Sequence, residues 1–161
     1  MVVSFHWGSE GADLPKPYQI RAAHAAIDAG ADVVLGHHPH VLQGIERYRQ
    51  GVIFYSLGNF AFGSRSSTAA QSIIARITLD NGVREVELVP LNVQNSEVRF
   101  QPRPLTGKKG GEVIDHLNRI SRQFGTVITG SASGFRMKMT GETDAAAGEG
   151  GKEHVPPVRS N

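Results

Sequence analysis

The chain has 161 residues, 39% of them hydrophobic, and carries 17 Lys and Arg against 15 Asp and Glu. That is enough for one domain with a core, and a net charge of +2 is too balanced to mark a nucleic-acid surface. With no cysteine there is neither a disulfide framework nor a thiolate metal ligand, and no apolar run approaches the roughly 20 residues of a membrane span. In chain order, Met1–Phe5 reads as a short apolar strand that leads into a glycine-punctuated polar loop, Gly8–Lys16, with His6 and Glu10 near its start. Pro17 opens a helix that runs to about Ala29. Ile20, Ala23, Ala26 and Ile27 form its apolar stripe, and Gly30 follows as the C′ residue. Val33–Leu35 is the next strand, apolar and bounded by glycine.

Ile45–Arg49 reads as a connecting strand or turn, and Gly51–Ser56 as the third strand, closed by the tight loop Leu57–Phe60. Asn59 in that loop is a substrate contact, a support for a neighbouring group, or a turn-stabilising residue. Ser64–Thr68 is a serine-rich rim loop. Gln71–Leu79 and Val83–Asn92 are two strands around Asp80-Asn81-Gly82, a hairpin signal because Asn-Gly tolerates positive φ. The hairpin is expected at the antiparallel edge of the sheet, and Val98–Pro102 adds a short edge strand. Gly110–Phe124 is an amphipathic helix with Val113, Ile114, Leu117, Ile120 and Phe124 on one face, closed by Gly125; His116 and Arg122 lie off that face and are assigned to solvent. The expected organisation is a folded unit over 1–137 and a disordered tail over 138–161, rich in Gly, Ala, Glu and Pro, with His154 incidental in it.

The chemistry concentrates in Gly36-His37-His38-Pro39-His40, where three of the seven histidines fall within four residues at a strand end. Ligands and catalytic groups collect at the carboxyl ends of strands in open α/β sheets, and imidazole both binds metals and moves protons near neutral pH. On an extended segment, His38 and His40 would send both rings to one side, with Pro39 barring a helix. The alternative is a surface loop that happens to be histidine-rich. A strand–helix–strand crossover makes its strands parallel, with both carboxyl ends on one edge of the sheet. His6 would then share an edge with His38 and His40, and three histidines from two loops can begin a site for zinc, iron or manganese.

Three blocks carry a wider likeness: His6-Trp7-Gly8-Ser9-Glu10-Gly11, then Ile27 to Gln43 around the His-Pro-His segment, then Phe54-Tyr55-Ser56-Leu57-Gly58-Asn59-Phe60. In that order and spacing, over about the first half of the chain, they resemble the CapA (poly-γ-glutamate capsule synthesis) family. That family resembles the calcineurin-like metallophosphoesterases. The resemblance therefore implies an α/β fold of four layers, α/β/β/α, with a mixed sheet and a two-metal site. It places metal ligands at His6, His38 and His40, for manganese, iron or zinc. His37 and Glu10 would orient substrate or shuttle protons, and Asn59 would bind substrate. Family members open with a Gly-Asp strand end, an Asn-x-Glu segment and an Asn-Asn-His-type segment, and none of these stands before His6 here. The resemblance thus implies the C-terminal half of such a protein, with half a metal site and impaired metallophosphoesterase-like hydrolysis. Its implied partners are a missing N-terminal half or capsule-synthesis membrane proteins, and its implied place is the cell envelope. The alternative is a non-catalytic accessory part of envelope polymer synthesis or export, or a pseudogene fragment. A half-sandwich is further expected to leave one face of its sheet uncovered.

Overall fold

The computed structural model describes residues 1–62, 66–131 and 134–138; Ser64, Arg65, the expected tail beyond Lys138 and His154 lie outside the described residues. Four strands make the first sheet, β1 (Val2–His6), β2 (Val33–His37), β3 (Ile45–Tyr48) and β4 (Gly51–Phe54), in the order β1-β2-β4-β3. β1, β2 and β4 are parallel, and β3 runs antiparallel at the edge. The expected parallel pairing of the first two strands holds, with Val2 opposite Val33 and His6 opposite His37.

Because strand side chains alternate, the two faces of this sheet feed two cores. Val33, Val52 and Phe54 enter one; Val34, Ile53 and Tyr55 enter the other. Helix α1 (Pro17–Asp28) is the crossover from β1 to β2 and covers the second face through Ala23 and Ile27. Gly30, with φ 102°, turns the chain out of the helix as expected. Gln19 is also fully buried, a member that the apolar stripe did not include. Its Oε1 accepts from the Lys16 N–H (2.9 Å) and its Nε2 donates to Gln43 Oε1 (3.1 Å). Gln43 Nε2 in turn donates to the carbonyls of Ala12 and Leu14. Paired in this way, the two buried amides offset their desolvation cost, and they pin the loop after β1 to the body of the fold.

β5 (Gln71–Leu79) and β6 (Val83–Asn92) form the predicted hairpin, with Asn81 at φ 50° and Gly82 at φ 126°. The hairpin does not extend the first sheet, whose antiparallel edge is β3 on β4. Instead it founds a second sheet with β7 (Arg103–Pro104), β8 (Ile128–Ser131) and β9 (Gly134–Met137), in which β9 and β7 both pair with β6. Its apolar side needs a facing layer: Ile73, Val86 and Leu88 bury against Val33, Val52 and Phe54 of the first sheet. Leu79, at the end of β5, is exposed, where the register shifts between Thr78 and Leu79. The expected edge strand Val98–Pro102 is absent. A helical turn, α2 (Asn95–Val98), occupies its start, and Arg99 and Phe100 take φ of 50° and 61°, which a strand cannot accommodate.

α3 (Gly107–Ser121) buries Val113, Ile114, Leu117 and Ile120 in the same core, and Gly125 at φ 68° ends the helical run. The second sheet and α3 therefore cover the sheet face that was expected to lie open. The arrangement is a mixed α/β fold in which sheet packs on sheet and a helix covers the outer face of the first. A polar trio joins α1 to the first sheet, with Tyr55 and Glu46 buried and His24 half-buried. Tyr55 donates to Glu46 Oε2 (2.6 Å), and His24 Nε2 meets Glu46 Oε1 at 3.0 Å. Burial, then the hydrogen bond and charge of Glu46, hold the Tyr55 phenol well above its ordinary pKa. No helix among the described residues is long and apolar enough to cross a membrane.

Candidate metal centre

The parallel pairing of β1 and β2 sets the site. Both strands end at the same edge, and their loops are laced together: the Trp7 N–H donates to the His37 carbonyl (3.1 Å) and the Gly11 N–H to the Pro39 carbonyl (2.8 Å). Trp7 Nε1 also donates to the Tyr55 carbonyl (2.9 Å), over a Gly36 that leaves no room for a side chain. The result brings Glu10 beside the two histidines of the His-Pro-His segment. Ligand atoms of Glu10, His38 and His40 all lie within 4.8 Å of one another. His6 stands next to this trio, its ring centroid 4.6 Å from that of His38.

The two histidines adjoin, with ring centroids 5.9 Å apart, but not by the extended geometry expected of them. His38 has φ 96° and His40 φ 61°. Left-handed backbone at a residue with a Cβ is strained, and here it occurs twice in one ligand-rich turn. His40 is further fixed by Asn59, whose Oδ1 lies 2.8 Å from His40 Nδ1. An amide oxygen only accepts, so Nδ1 carries the proton and Nε2 is left with its lone pair free for a cation. Asn59 is buried, and its Nδ2 has no hydrogen-bond partner among the described residues. His37 ends β2 half-buried, and its ring makes no hydrogen bond within the described residues. Two imidazoles and a carboxylate form a donor set that zinc, iron and manganese accept, so the residues present fit a divalent cation.

A hollow of about 430 Å³ opens at Glu10 and His40, rimmed by Phe62 and Thr68. It shares Gly11, Val41 and Thr68 with a cleft of about 470 Å³ that reaches Asp13 and, on α3, Glu112, His116 and Arg119. His116, expected in solvent, is half-buried in this cleft. Burial holds its pKa below the ordinary value, and the adjacent Arg119 adds to that, against the opposing pull of Asp13. Lying off a core stripe leaves a helix residue on a flank, and this flank borders a cleft.

Comparison with known proteins gives the same direction. Residues 1–64 match the family model described as "Bacterial capsule synthesis protein PGA_cap". The chain is 44% identical over 125 residues to the "Capsule biosynthesis protein CapA" of Bacillus anthracis, a match that covers 77% of this chain and 28% of that protein. It is 42% identical over 97 residues to the "PGA biosynthesis protein CapA" of Bacillus subtilis, covering 60% of this chain and 26% of the relative. A "Probable polyglutamine synthesis accessory protein" of Mycobacterium tuberculosis is 31% identical over 133 residues, covering 77% of this chain and 34% of its own. The chain thus spans about a quarter to a third of the length of the curated relatives it matches. With the family match falling on the strands and loops that build the Glu10–His38–His40 trio, the chain belongs to the CapA family.

Proposed function

We propose that this chain is the histidine-bearing part of a CapA-like protein of glutamyl capsule-polymer synthesis at the cell envelope, and that it holds a divalent cation. The observation that carries this reading is the meeting of Glu10, His38 and His40 within 4.8 Å, supported by the Asn59 hydrogen bond that frees His40 Nε2. His38, His40 and Glu10 hold the cation, and His6, beside His38, is placed to join them. A bound divalent cation lowers the pKa of a water and stabilises charge on a phosphoryl or acyl oxygen. His37 orients substrate or carries a proton at the rim, and Asn59 keeps an amide N–H for a substrate oxygen.

The trio offers one carboxylate. A two-metal phosphoesterase centre needs several carboxylates to neutralise two dications. In this reading the remainder come from a segment outside these 161 residues, such as an N-terminal half, or from a capsule-synthesis membrane protein. The chain alone then binds metal weakly and turns over little or no phosphoester. The same single carboxylate favours a second reading, in which the protein is a metal-holding accessory without catalysis.

The test is calorimetric titration of the chain with zinc and manganese, followed by assays on a generic phosphodiester and phosphomonoester. One weak site that is lost in His38→Ala, His40→Ala and Glu10→Gln is the expected result. Absence of any metal binding overturns the reading. Metal-dependent turnover that disappears in both His6→Ala and His40→Ala overturns the claim of a partial site. Activity that arises only when an N-terminal half is added favours the enzyme reading over the accessory one.

A further inference from the structure

The cleft beside the trio carries both signs of charge, arranged by one helix face and one loop. Glu112, His116 and Arg119 stand at i, i+4 and i+7 on α3, a spacing that aligns side chains along one face, and Asp13 lines the same cleft from the loop after β1. Arg119 Nη2 lies 2.9 Å from His116 Nδ1. A guanidinium has no acceptor, so Arg119 donates, His116 is neutral and its ring proton is on Nε2. The pair therefore holds the guanidinium in place and keeps further N–H donors for a carboxylate, which the planar fork suits. Asp13 and Glu112 are acceptors only, suited to an ammonium group.

We propose that this cleft seats an α-amino-acid zwitterion, with Arg119 and His116 taking the α-carboxylate and Asp13 and Glu112 the α-ammonium. Its identification as the amino-terminal residue of a γ-linked glutamyl chain rests on the functional reading above. In such a chain every residue has a free α-carboxylate, but an ammonium stands beside it at the amino end alone. A purely cationic cleft would accept any stretch of the polyanion. The two carboxylates of this one disfavour interior residues and select the terminus. The cleft is continuous with the Glu10 and His40 hollow through Gly11, Val41 and Thr68, so the first γ-amide of a seated chain extends toward the histidines.

The experiment is a calorimetric or chemical-shift titration of the whole chain, in chelator and again with zinc. The probes are a γ-linked glutamyl trimer and the same trimer acetylated on its amino group. The free trimer is expected to bind in chelator, with acetylation, Arg119→Gln and Asp13→Asn each weakening Kd at least about tenfold. Arg119 and Asp13 are both exposed, so circular dichroism is expected to show unaltered folding. Equal binding of the two trimers, or Arg119→Gln binding like wild type, overturns the seat. Because the seat is read in chelator, its failure is distinct from failure of the metal site. Amine-dependent binding without any zinc uptake keeps the seat and removes the metal reading, and zinc uptake without amine dependence does the reverse.

Discussion

Asn59→Ala separates the support of the metal site from the stability of the fold. In the wild type, Asn59 Oδ1 accepts from His40 Nδ1 at 2.8 Å, while its Nδ2 is buried without a partner among the described residues. Truncation removes a hydrogen bond worth about 0.5–1.5 kcal/mol net and also removes an orphaned donor whose burial costs about 1–3 kcal/mol. These terms offset, so unfolding free energy in urea should stay within about 1 kcal/mol of wild type. The metal site has no such offset. Losing the partner that fixes a ligating imidazole typically lowers metal affinity about 10- to 100-fold, or about 1.4–2.8 kcal/mol. Zinc affinity, measured by competition with a chromophoric chelator, should fall by that factor in Asn59→Ala. In Asn59→Asp, where a carboxylate accepts the same proton more strongly, it should equal or exceed wild type. Zinc affinity unchanged in Asn59→Ala but lost in His40→Ala would refute the orienting role. A stability loss of several kcal/mol would show the residue to be a structural anchor instead.

Three further outcomes follow from the geometry. His38→Gly relieves the φ of 96° and His38→Ala does not, so the glycine variant should be the more stable by about 1–2 kcal/mol in urea denaturation, while both lose zinc. Gly36→Ala puts a methyl 2.0 Å from the Tyr55 carbonyl oxygen and 2.6 Å from Trp7 Nε1, and a loss of about 3 kcal/mol or more should lower Tm sharply; an unchanged Tm would mean that the β2–β4 pair yields without cost. His116 is held below its ordinary pKa of 6.5 by burial and Arg119, so below that value the unfolded chain binds more protons than the folded one. Stability is full above about pH 6.5 and falls as pH drops through 6.5 toward the folded pKa. His116→Gln should flatten that slope in denaturation curves taken across the range.

What the sequence discloses of this fold is what local pattern can carry. β1, α1, β2 and the β5–β6 hairpin were legible because each pairs a periodicity with glycine, proline or Asn-Gly punctuation at its ends. Sheet membership was not, because it is decided by which face must be buried. Nothing within Gln71–Asn92 says whether its apolar side lies beside the first sheet or over it. The failed strand at Val98–Pro102 has a local cause: the Asn95 side chain accepts from the Phe100 N–H at 2.7 Å, which closes a turn through left-handed Arg99 and Phe100. β8 and β9, of four residues each, are too short to show an alternation. α3 begins at Gly107, earlier than expected, because the glycines near its start disguise helical turns that tertiary packing supplies.

The site was legible by composition and opaque in geometry. The spacing of His38 and His40 pointed to adjacent rings, yet the adjacency arises from left-handed backbone at both residues rather than from the extended geometry expected. Glu10 stood out as an acid in a loop after a strand, but its closeness to His40 depends on a hydrogen bond from Gly11 to Pro39, a contact between loops that no window of sequence contains. Asn59 reaches His40 across 19 positions. Gln19 is different, because the signal was there: it stands four residues before Ala23 and eight before Ile27, so it continues the buried stripe of α1. A polar residue on an apolar stripe announces a buried partner, and that partner, Gln43, holds the loop that carries Glu10 through its bonds to Ala12 and Leu14. The helix pattern therefore carried information about the metal centre one step removed, in the position of an amide that had to find another amide.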